Sequence, residues 1–154
     1  MYKQTGEISA SLISKLKSMA EQVRWEHHVS DITDHYAADC TELVKSMKAL
    51  KIVEPYRAAT LMRLAPGGKL YRHADTGFGL TIPIETNDDV VNYSYHPVPG
   101  NMPELTGPTT ALGQVDKKEH RLKVGKIYHT DRSVEHEAFN NGETDRVFLI
   151  ALLK

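Results

Sequence analysis

The chain has little that would staple, anchor or address it. A single cysteine, Cys40, in 154 residues excludes an internal disulfide framework. A lone thiol is the ordinary condition of a reducing compartment, so the expected location is the cytoplasm. No run approaches the roughly 18 apolar residues that a membrane span requires. The opening MYKQTGEISASL has no basic stretch leading into an apolar core, as a secretory leader would. The expectation is a soluble, unexported protein with no membrane partner. Neither sign of charge dominates: 19 Lys plus Arg stand against 20 Asp plus Glu, interspersed, so nucleic acid is not an expected partner. There is no internal repeat and no low-complexity segment.

What is there fits one domain, residues 1–154, long enough to bury roughly 70% of the surface of its unfolded chain. Residues 1–55 read as a helical N-terminal part. From Ile8 to Val23, apolar residues recur at spacings of three and four, the stripe of an amphipathic helix. A second helix is expected from about Cys40 to Leu50, with Leu43, Val44, Met47 and Leu50 on its buried side. Residues 56–154 change texture to short β-type runs broken by turn chemistry: ATLMRL, the Pro66-Gly67-Gly68 turn, LTIPI, VVNYSY, RLKV, KIYHT, SVEHEAF and RVFLIALL. So many short strands predict a mainly β barrel or jelly roll. The Pro97–Thr110 stretch is expected to be a long loop, either a cover over a site or a plain surface excursion.

Eight histidines are present, and His27, His28, His35, His96, His120 and His129 sit among polar neighbours, as surface side chains do. His73 is different. In Tyr71-Arg72-His73-Ala74-Asp75, a histidine and a carboxylate two residues apart on extended chain share a face. They could bind one ion, although a surface turn explains such a triplet as well. The second feature is SVEHEAFNNGETDRVFLIALL, which reads as a hairpin. A loop centred on Asn141 would set His136 directly opposite Arg146, whereas a two-residue Asn141-Gly142 turn would break that pairing. Both faces of RVFLIALL are apolar, so an arginine entering that strand needs an anionic partner. Glu135, Glu137 and Asp145 are the internal alternatives to a ligand carboxylate.

Two histidines and one carboxylate on one side of a metal, with coordination positions left open, is the arrangement of non-haem iron(II) oxygenases. Glu135, Glu137 and Tyr71 are candidates to orient the imidazoles. With LMRLAPGGKLYRHAD, LTIPIETND, the Gly125 turn into KIYHTD, and VEHEAFNNGETDR in hand, the sequence resembles the aspartyl/asparaginyl β-hydroxylase family of 2-oxoglutarate oxygenases over about Thr60 to Leu153. The arginine ten residues beyond the histidine is the most specific element.

The resemblance implies a double-stranded β-helix, a cupin-like barrel, preceded by α-helices. It implies iron(II) held by His73, Asp75 and His136, with 2-oxoglutarate as co-substrate, dioxygen as oxidant, and Arg146 on the distal carboxylate. The implied reaction hydroxylates a C–H bond of an amino-acid-like, peptide or other small substrate. One departure stands out. The family strand R-x-H-[IL]-[PG]-[IL] is here Gly79-Leu80-Thr81-Ile82-Pro83-Ile84, so the groups expected near the proximal carboxylate are absent. Arg63, Arg132 or Asn92 could replace them, Arg132 being preferred. Tyr93, Tyr95 and His96 are candidate substrate contacts, with ordinary sheet packing as the alternative. Two rival functions remain: a non-catalytic cupin-type module binding a metal or carboxylate, and another enzyme on the same barrel that uses no 2-oxo acid.

Overall fold

A computed structural model describes residues 1–27, 35–42, 56–97 and 115–154. In chain order these form β1 (Tyr2–Glu7), α1 (Ala10–Gln22), β2 (Glu26–His27), β3 (His35–Asp39), β4 (Tyr56–Leu64), β5 (Lys69–His73), β6 (Phe78–Glu85), β7 (Val90–Pro97), β8 (Val115–His120), β9 (Lys126–Asp131), β10 (Glu135–Asn140) and β11 (Arg146–Leu153). Two antiparallel sheets result, one ordered β1-β9-β6-β11-β4-β3-β2 and the other β5-β10-β7-β8. This is the expected jelly roll. No described helix is long and apolar enough to cross a membrane.

The apolar stripe read from Ile8 to Val23 builds α1. Ser9 caps it by accepting the Leu12 N–H at 3.2 Å, and the chain leaves the helix at Val23, whose N–H still reaches Met19 O. Leu12, Leu16 and Met19 are its buried side, packed on Ala59, Leu61, Ile82, Ile84, Val147 and Leu149 of the large sheet. The helix therefore covers the outer face of that sheet. Strand alternation leaves the opposite face to the interior: in β11, Val147 and Leu149 meet the helix, while Arg146, Ile150 and Leu152 line a cavity between the sheets. An arginine in an apolar strand thus has a defined direction, inward.

Several expectations change. SVEHEAF and RVFLIALL are strands but not a hairpin: β10 pairs with β5 and β7, and β11 with β4 and β6. Asn140 diverts the chain between the sheets. Its fully buried amide donates to Leu64 O and Thr144 O, both at 2.8 Å, and its backbone pairs with Gly67 and Gly68. RLKV is not a strand; the polar VDKKEH before it is, as a charged edge that alternation of apolar residues could not reveal. Residues before 56 supply β1, β2 and β3 as well as α1, so they extend the large sheet. His35, read as a surface residue, is 1% exposed in β3. Beyond Glu42, the expected second helix lies outside the described residues, as does the long loop beyond Pro97.

Candidate metal centre

His73 ends β5, and β10 sets His136 opposite it in register, with the two rings 4.4 Å apart between centroids. Asp75 follows just past the strand end, with its carboxylate Oδ2 3.5 Å from His73 Nε2. One ligand atom from each of the three lies within 4.8 Å of the others, the only such group of metal-binding side chains among the described residues. Both imidazoles are oriented alike. His73 Nδ1 is 2.6 Å from Tyr71 O and His136 Nδ1 is 2.7 Å from Val134 O, each a carbonyl two residues back. A carbonyl can only accept, so each Nδ1 carries a proton, and in the neutral ring the lone pair is on Nε2. Burial holds His136 below the usual histidine range, which keeps that ring neutral and able to ligate. Of the three candidate orienters, Tyr71 contributes, through its backbone. Glu135 pairs with Arg72, and Glu137 accepts from the Tyr95 hydroxyl.

Arg146 faces this cluster from the other sheet. It is 4% exposed, and its Nε and Nη1 have no hydrogen-bond partner. The guanidinium carbon lies 3.9 Å over the Phe148 ring. Burial pushes its pKa down to about 10, and burial raises that of nearby Tyr2 to about 12, so Tyr2 keeps its hydroxyl proton. No described carboxylate is in an ion pair with Arg146: Glu135 and Glu137 are engaged elsewhere, and Asp145 lies at the outer face. The cluster and Arg146 line one cavity of about 590 Å³. A buried cation with two unpartnered donors, facing two imidazole lone pairs and a carboxylate, fits a metal chelated by a dianionic acid.

The aspartyl/asparaginyl β-hydroxylase family model matches residues 20–154. The chain belongs to this family. Among solved structures it is similar to an oxidoreductase of the 2OG-Fe(II) oxygenase family from Burkholderia pseudomallei, at 13% identity over 94% of this chain and 78% of that one, with a TM-score of 0.64. A Pseudomonas putida prolyl-4-hydroxylase is similar at 11% identity over 99% and 92%, TM-score 0.64. HygX from Streptomyces hygroscopicus, solved with nickel and 2-oxoglutarate, is similar at 11% identity over 95% and 79%, TM-score 0.65. Identities this low speak for the fold alone. A search of curated proteins found no match.

In this β-hydroxylase family member the two positions that depart from the strand pattern are filled differently. Thr81 pairs its hydroxyl with that of Thr130 at 2.9 Å, buried in the cavity wall, and Gly79 leaves space. Of the three candidate replacements, Asn92 lines the cavity, with its Oδ1 buried and unpartnered. Arg132 lines it too, but donates from Nη2 to Asp75 Oδ2 at 2.8 Å. Arg63 does not reach the cavity: strand alternation turns Thr60 and Met62 inward and Arg63 outward, where it stacks on Tyr36 and Trp25 at 4.4 and 5.0 Å.

The structure does not bring Tyr93, Tyr95 and His96 to the cavity. Tyr93 packs on Phe139 and under Lys117, and Tyr95 lies under Arg72. His96 meets Ser94 Oγ at 2.8 Å, as His120 does at 2.7 Å. Tyr2 and Thr130 entered the site unannounced, because only the β1–β9 and β6–β9 pairings bring them there.

Proposed function

We propose that this chain is an iron(II) and 2-oxoglutarate dependent hydroxylase in which His73, Asp75 and His136 hold the metal and Arg146 seats the distal carboxylate of the co-substrate. The observation that carries this reading is the buried Arg146 guanidinium, two of its N–H donors unpartnered, across one cavity from two imidazoles whose Nε2 atoms are free to ligate. When bound, iron(II) with 2-oxoglutarate and dioxygen supplies the oxidising chemistry, hydroxylating a C–H bond and leaving succinate and carbon dioxide.

The chain's own residues do the rest. Tyr71 O and Val134 O fix the imidazole tautomers, so each neutral ring presents Nε2 to the metal. Arg146 fixes the depth and direction of the co-substrate, and Tyr2, still protonated, offers a hydroxyl donor beside it. Phe148 and Ile150 on the same strand face keep that end of the cavity apolar, which strengthens the charge pairing. The substrate is small or a peptide, entering where Tyr71, 46% exposed, and Arg72 border the cavity. The single, unpaired Cys40 supports a cytoplasmic location.

The test is conversion of 2-oxoglutarate to succinate by the purified protein with and without iron(II). Iron-dependent succinate, absent in His136→Ala, is expected. Tight metal binding with no succinate under any substrate tried would instead favour a cupin-type binding module.

A further inference from the structure

Arg132 follows directly on the end of β9 and is tied to residue 75 twice. Its carbonyl accepts the Asp75 N–H at 2.9 Å, and its Nη2 donates to Asp75 Oδ2 at 2.8 Å. A third bond, from its own N–H to Gly77 O at 3.1 Å, fixes the turn that carries Asp75 away from β5. The side chain reaches Asp75 by passing over Gly79. A Cβ at that position would lie 3.3 Å from Arg132 Cδ and 3.1 Å from Ala151 O. Gly79 is not among the glycines with positive φ, so its backbone is one that any residue could adopt. A glycine inside a strand weakens it. What this one provides is room.

We infer that Arg132 is a positioning residue for the metal centre, delivered over Gly79 to hold the Asp75 carboxylate in its ligating orientation. The inference rests on His73, Asp75 and His136 being the metal ligands, and it gives Arg132 a different task from direct contact with the co-substrate. Asp75 needs such a hold. It lies past the last residue of β5, beyond the strand ladder, and its side chain is 37% exposed. Left free, that carboxylate would lose rotamer freedom each time metal bound. The guanidinium removes that freedom beforehand by holding Oδ2, the oxygen that also faces His73 Nε2 at 3.5 Å, which leaves Oδ1 and the remaining lone pair of Oδ2 for a metal.

Two effects of Arg132 on a dication oppose each other, since its charge repels the metal while its grip orients the ligand. Substituting Gly79 separates them. Gly79→Ala crowds Arg132 Cδ, so the side chain must shift by a few tenths of an ångström to keep its bond to Asp75, while its charge stays. The measurement is cobalt(II) affinity by calorimetry, with the visible ligand-field bands, in the absence of 2-oxoglutarate. Gly79→Ala is expected to weaken cobalt(II) binding about tenfold, the usual size for losing an outer hydrogen bond to a ligand. It is expected to have no effect when Arg132→Met is already present, because the two then share one interaction.

An unchanged affinity in Gly79→Ala, or an equal loss in both backgrounds, overturns the inference. Should Gly79→Ala not fold, Arg132→Lys, which keeps the charge and loses the planar fork, is expected to weaken cobalt(II) about tenfold and shift its bands. An Arg132→Lys that alters only 2-oxoglutarate affinity, at unchanged cobalt(II) affinity, makes Arg132 a direct co-substrate ligand and refutes the positioning role. His136→Ala distinguishes the deeper failure: if it binds cobalt(II) as wild type does, the triad itself is misassigned.

Discussion

Replacing Arg146 with methionine should stabilise the unliganded protein while removing its affinity for 2-oxoglutarate. Burial lowers the guanidinium pKa from 12.5 to about 10, a difference that corresponds to roughly 3 kcal/mol disfavouring the cation in the folded state. This cost is fully present at neutral pH, well below both values, and is relieved only as pH rises above about 10. The stacked Phe148 ring returns part of it, about 2 kcal/mol for a desolvated cation–π contact. Methionine follows the aliphatic stem and has no unpartnered donors, so Arg146→Met should gain about 1 kcal/mol, or roughly 2–4 °C in Tm for a domain of this size.

Binding should move the other way. Truncating one member of a buried charge pair costs about 2–5 kcal/mol, a loss of tens- to thousands-fold in 2-oxoglutarate affinity. Thermal unfolding of the metal-loaded protein with and without 2-oxoglutarate reads both effects, because ligand raises Tm only where it binds. A variant that melts several degrees lower than wild type without ligand, yet is still stabilised by 2-oxoglutarate, would refute the reasoning. Arg146 would then be a structural cation with a partner of its own.

Leu16 is fully buried between α1 and the large sheet, so Leu16→Ala should cost about 2–5 kcal/mol in denaturant unfolding. The Cys40 thiol, 3% exposed, is pushed up to about 12 by burial and then by Asp39, and should resist a thiol reagent until the protein unfolds. Because the unfolded thiol ionises first, near 8.5, Cys40 contributes a loss of stability as pH rises above about 8.5, and Cys40→Ala should flatten that decline in chemical unfolding. Tyr95→Phe, on the face away from the cavity, should leave 2-oxoglutarate affinity within about twofold of wild type by calorimetry, because it removes only the hydroxyl that Glu137 accepts.

The sequence disclosed the cluster better than the connections around it. His73 and Asp75 stand two residues apart on nearly extended chain, a spacing that places them together whatever the rest of the fold does. The distance from His136 to Arg146 was also informative, but for a different reason than hairpin geometry implies. The two strands lie in opposite sheets, and the residues face each other across the cavity because Asn140 carries the chain over. The buried Asn140 amide marks that crossing, which the apolar pattern does not distinguish from a hairpin turn.

Where the pattern was silent, edges were responsible. β8 is polar on both faces and β1 is a short border strand, so neither shows the alternation that marks a half-buried strand. Tyr2 was therefore invisible as a cavity residue, and Thr130, on a strand that was read, had no visible neighbour to place it there. Arg63 and Arg132 were both candidates in sequence for the proximal carboxylate, with Arg132 preferred. Only strand parity, which turns Arg63 outward, and the room over Gly79, which admits Arg132, separate them.

The most direct test of the central claim is anaerobic titration of iron(II) and then 2-oxoglutarate into the protein, following the weak visible charge-transfer band of an iron–2-oxo acid chelate. A band is expected that saturates at one equivalent of each, is absent in His136→Ala, and in Arg146→Met needs far more 2-oxoglutarate. A protein that binds iron but gives no band at saturating 2-oxoglutarate would contradict that claim.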